Sequence, residues 1–91
     1  MKHIFSKPYE FEGETYKELD IDLESLKGSD IAKIKKAWTA AGNFSALPVT
    51  DSDFCVMVLA KVAKKPLEFF DGMPANDYCQ ITQGVTNFLM S

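Results

Sequence analysis

The sequence predicts an α+β fold: an N-terminal β-hairpin followed by a compact bundle of three main helices. Three observations carry this. Apolar residues alternate at period two up to Ile21, the pattern of a half-buried strand. From Ile31 the spacing becomes helical. Capping residues, glycines and prolines separate the helical stretches. At 91 residues the chain is expected to form one domain, 1–91, with a hairpin region at 1–22 and a helical region at 23–91.

Each element follows from local pattern. Tyr9 and Phe11 alternate with Glu10 and Glu12, and Leu19 and Ile21 alternate with Glu18 and Asp20. Gly13, between Glu12 and Glu14, can adopt positive φ and predicts the turn. The first helix is predicted from Ile31, Ile34, Ala37, Trp38 and Ala41 on one face, with Lys33 and Lys36 on the other. Ser29 or Asp30 is expected to cap it and Gly42 to end it. Thr50 with Asp53 reads as a capping pair for a second helix, Asp51 to Lys64. Its apolar arc runs through Phe54, Cys55, Val56, Val58, Leu59, Val62 and Ala63, over about 200° of its circumference. That width predicts a central helix covered on most sides. Lys65 to Gly72 reads as a turn or helical stub after the Pro66 break, and Pro74 opens a last helix to Leu89. Tyr78, Ile81, Val85, Phe88 and Leu89 form its apolar face.

The inventory for chemistry is thin. The one histidine, His3, is read as part of a frayed terminus with no acid or nucleophile beside it. Cys55 lies mid-arc and reads as an inert core thiol, and Cys79 flanks the apolar face of its helix. These three soft ligands lack zinc spacing, and no phosphate-cradling glycine loop is present. The hairpin carboxylates alternate as a solvated strand face does. The start lacks the long apolar run of a secretory signal, and Phe54–Ala63 is about half a bilayer span. The expected setting is therefore cytosolic, with reduced thiols and neither membrane nor cofactor.

Charge carries more. Residues 10–30 hold eight acids and two lysines; residues 31–65 hold six lysines and two acids. The overall −3 therefore hides an acidic hairpin region and basic first and second helices. The plain account is balance within one molecule. The sharper one is head-to-tail self-association, hairpin to helices, which would loosen as salt rises. The last helix adds a face with no charge: Asn76, Gln80, Gln83, Gly84, Thr86 and Asn87. A face of this kind, with a glycine, admits another helix closely. With Met57, Lys61 and Lys64 on the outer face of the second helix, Asn76, Gln80, Gln83, Gly84 and Asn87 form the candidate interface.

Taken in order, the acidic hairpin ending Tyr16-Lys17-Glu18-Leu19-Asp20-Ile21-Asp22, the Leu23 to Asp30 run before an amphipathic helix, the Asp-led helix Thr50 to Ala63, and Met73-Pro74-Ala75-Asn76-Asp77 opening a helix that ends Phe88-Leu89 form one series. It resembles the small tail assembly chaperones of long-tailed bacteriophages and prophages, over nearly the whole chain. The resemblance implies a non-enzymatic protein of the host bacterial cytoplasm. It implies binding to the long helical tape measure protein before the tail tube forms around it, and absence from the mature virion. It also implies, for many members, a longer frameshifted form that recruits tail tube protein; an end just after the last helix, at Ser91, fits the shorter form. Other readings are a structural minor tail or head-completion protein, which would stay in the particle, and a small host-directed regulator, which would form one defined complex. A nucleic-acid binder would use Lys33, Lys35, Lys36, Lys61, Lys64 and Lys65, but the chain has no arginine and the hairpin acids oppose approach. Nucleic acid is therefore not an expected partner, and an enzyme ranks last.

Overall fold

The computed structural model describes residues 1–91. Strand β1 (Lys2–Phe11) pairs antiparallel with β2 (Glu14–Asp20). Glu12 and Gly13 join them at φ 49° and 82°, the two positive values a two-residue hairpin loop needs. The register slips midway. Tyr9 faces Tyr16 and Ile4 faces Glu18, so the four residues Phe5–Pro8 stand against Lys17 alone. This bulge is where Pro8 fits, because no ladder bond is asked of it. The bulge also frees the Ser6 amide for a partner outside the sheet.

A 3₁₀ turn, Leu23–Ser25, leads to helix α1 (Gly28–Ala40). The helix starts before the predicted cap. Asp30 sits in the first turn and accepts the Lys27 N–H at 2.9 Å. That bond, with help from nearby lysines, holds its carboxyl below the usual range. Gly42, at φ 97°, ends α1 as expected. The inward stripe is narrower than predicted: Ile34 and Trp38 are buried while Ala37 and Ala41 are exposed.

A second 3₁₀ turn, Pro48–Thr50, precedes α2 (Ser52–Ala63). The expected capping pair does not form, because the Thr50 hydroxyl donates backward to Leu47 O at 2.7 Å. Helix α2 packs against α1, the short α3 (Leu67–Asp71) and α4 (Ala75–Leu89), the central place its broad apolar arc predicts. Trp38 meets Phe54 edge-on at 5.8 Å at one end of the α1–α2 pair, and Asp30 meets Lys61 at the other. Helix α4 packs across the first half of α2, with Thr86 beside Cys55. Lys64 closes α2 at φ 56°, and the Lys65 amide returns to Ala60 O at 3.2 Å. A left-handed lysine costs about 1 kcal/mol where glycine would not. Lys64→Gly is therefore expected to raise stability by roughly that amount in chemical denaturation; an unchanged midpoint would show that the backbone there carries no strain.

The stub after Pro66 contributes more than expected. Phe69 and Phe70 of α3 are fully buried. Tyr9, Phe11, Tyr16 and Phe70 all contact the Phe69 ring, at centroid distances of 5.1–5.2 Å. The Tyr9 hydroxyl donates to Phe69 O at 2.7 Å. Helix α3 is thus one of the elements through which the hairpin joins the helices.

Candidate functional site

The predicted interface residues fall on two separate surfaces. On α4, Asn76, Gln80, Gln83 and Asn87 are exposed, and Gln83 Nε2 donates to Asn87 Oδ1 at 3.0 Å. Gly84 is half-buried, and a Cβ there would lie 2.7 Å from Met1 Sδ. The close approach that glycine permits is occupied by Met1. Thr86 does not belong to the outer face. Its hydroxyl donates to Val49 O at 2.7 Å and touches Cys55 Sγ at 3.3 Å, tying the end of α4 to the 3₁₀ turn.

On α2, Met57, Lys61 and Lys64 form one stripe, spaced by four and three residues. Met57 is half-buried, Lys61 lies 3.8 Å from Asp30, and Lys64 borders a concavity with Glu12 and Glu14 at the hairpin tip. No cleft is lined by both the α4 and the α2 sets. The lysines are also dispersed. Lys65 donates to the Tyr16 hydroxyl at 2.9 Å and lies over the Tyr16 and Phe69 rings, while Lys2 pairs with Glu18 at 3.1 Å.

His3 corrects the reading of a frayed terminus. It is 7 % exposed, and its Nε2 lies 3.1 Å from Asp77 Oδ1. The Ser6 amide released by the bulge donates to the same oxygen at 3.1 Å, and the Ser6 hydroxyl donates to Oδ2 at 2.9 Å. Burial alone would raise the Asp77 carboxyl, but the bonds from Ser6 and His3 outweigh it and hold the group below its ordinary range. Serine, histidine and aspartate meet here without making a nucleophile. Both Ser6 and His3 address the carboxylate, and no bond joins the serine to the histidine, as activation of a hydroxyl requires. The three residues line no cleft. They fasten β1 to the start of α4. The available signal was that Asp77 is the only charge in the last helix.

Cys55 is buried as expected, and burial pushes its thiol pKa up; Cys79 is exposed. The surface also carries apolar side chains that the reading of α4 did not include. Phe44, in the α1–α2 loop, is 91 % exposed, and Ile4, Leu47 and Leu67 are also exposed. A cleft of about 240 Å³ opens between α1, α2, α3 and the start of α4, lined by Trp38, Met57, Leu67 and Tyr78 among others. The arrangement offers polar, apolar and mixed surfaces.

The profile of the family described as "Phage tail assembly chaperone proteins, E, or 41 or 14" matches residues 2–90. The chain belongs to this family. The match spans both strands and every helix of the chaperone. Comparison of the chaperone with curated proteins and with solved structures gave no match. No helix of the chaperone is long and apolar enough to cross a membrane.

Proposed function

We propose that this tail assembly chaperone binds the tape measure protein during tail morphogenesis, by non-covalent contact and without catalysis. The observation that carries the reading is the family match over residues 2–90. Exposed apolar side chains, Phe44 foremost, and the uncharged outer face of α4 support it, because a long helical client needs adaptable surface. Copies of the chaperone act side by side along the client in the host cytoplasm and leave before the virion is complete. A longer frameshifted form would bring tail tube protein to the same place.

The direct test is capture of co-expressed tape measure protein by the tagged chaperone, with mass spectrometry of purified particles alongside. Capture together with absence from particles supports the proposal. Retention in particles favours a structural tail or head-completion protein. The α4 face is tested by Gln83→Lys with Asn87→Glu, which places charge on exposed positions where neither contacts the core. Client capture or self-association, read by pull-down and sedimentation, is expected to weaken about tenfold. Folding stability should change by only about 0.5 kcal/mol, as for other exposed sites. Unaltered association would remove α4 from the interface.

A further inference from the structure

The cleft of about 240 Å³ combines an apolar interior with an acidic rim. Trp38 from α1, Val56 and Met57 from α2, Leu67 from α3 and Tyr78 from α4 supply the walls. The charged residues of its lining are Asp53 and Asp71, both exposed and both acidic. Neither is engaged in an ion pair within the chain. Trp38 is 3 % exposed, and its indole Nε1 is the one buried side-chain nitrogen or oxygen without a hydrogen-bond partner.

We propose that this cleft is the client socket of the chaperone. Its occupant is a helix that inserts a large apolar side chain between Trp38, Met57 and Tyr78 and sets lysine or arginine against Asp53 and Asp71. The inference rests on the chaperone reading and locates its binding site. Charge complementarity selects this occupant over the Phe44 loop of a second copy. The exposed Phe44 is the obvious apolar knob of another copy, but residues 41–50 around it carry no charged side chain to meet the acidic rim. The site differs from the α4 face: of the predicted interface residues only Met57 lines it.

Trp38 is the only tryptophan, so its fluorescence reports the cleft directly. The probes are two synthetic amphipathic helices with the same leucine and phenylalanine anchors, one flanked by lysines and one by glutamates. The intact chaperone is titrated with each, as wild type and as Asp53→Lys/Asp71→Lys. Asp53→Asn/Asp71→Asn serves as a second variant, because a lysine in the first turn of α2 opposes the helix dipole. The lysine-flanked helix is expected to shift Trp38 emission saturably and to bind about tenfold more tightly than its twin. The asparagine pair should narrow that preference, the lysine pair should reverse it, and high salt should reduce it. Equal binding of both probes, an unmoved emission, or a preference unchanged in both variants overturns the proposal. So does an emission that shifts on concentrating the chaperone alone, which would place a second copy in the cleft. Tape measure capture separates the levels: capture by wild type that is lost in the lysine variant supports the socket. Equal capture by both overturns the socket and leaves the chaperone reading standing, whereas capture by neither overturns both.

Discussion

Phe69→Ala is expected to destabilise the protein by about 3–5 kcal/mol, the range for a buried phenylalanine cut to alanine. A chain of this length has only about 5–14 kcal/mol in total. The loss is expected at the top of the range because the ring is fully buried and four other rings close on it edge-on. Those rings come from β1, β2 and α3, so the cavity has rigid walls on several sides and little freedom to collapse. The Lys65 ammonium 5.5 Å from the Phe69 ring would also lose a face to rest on. Denaturant titration of Phe69→Ala and Phe69→Leu measures it. Leucine keeps much of the volume and should cost no more than about half as much. If alanine costs under about 1 kcal/mol, the hairpin is not fastened through Phe69.

Asp77→Ala is expected to cost about 3–5 kcal/mol, because hydrogen bonds to a charged group are worth about 1.5–3 kcal/mol each and three are lost together. The carboxylate takes hydrogen bonds from three donors, His3 Nε2, the Ser6 amide and the Ser6 hydroxyl. Alanine leaves all three without that acceptor, and the His3 ring is buried where water does not replace it. The same carboxyl sets an acid limit. Its folded pKa lies below the ordinary value of 3.8, so its contribution to stability is complete above that pH and is lost as pH falls further. Denaturation at neutral pH and near pH 3 tests the sign. Wild type should lose stability on acidification, and Asp77→Asn, which cannot titrate, should lose less. An equal loss in both would show that other carboxyls set the acid limit.

These two positions also mark where legibility in the sequence ended. The hairpin, its turn at Gly13, the central α2 and the end of α1 at Gly42 were readable, because each depends on residues adjacent along the chain. Phe69 was not assigned to the core, because a five-residue helix behind a proline is too short to show a period. His3 was misread because its acid lies 74 residues away and meets it only when β1 packs against the start of α4. On α4, Gln83 and Asn87 are exposed as the helical spacing predicts, whereas Gly84 and Thr86 are half-buried. Met1 lies over Gly84, and Val49 and Cys55 engage Thr86. The cleft was legible only as the single residue Met57, since its walls come from four elements with no common pattern.

By itself, the sequence determined the α+β class, the order of elements, the central helix and the family resemblance that the profile match then established. These rest on periodicity, capping and turn chemistry, which act over a few residues. Only the tertiary structure decided that α3 helps join the hairpin to the helices, that His3 and Ser6 hold Asp77, and that an acidic cleft stands beside Trp38. Each depends on which distant side chains share a volume or a hydrogen bond, and that is fixed when the helices pack.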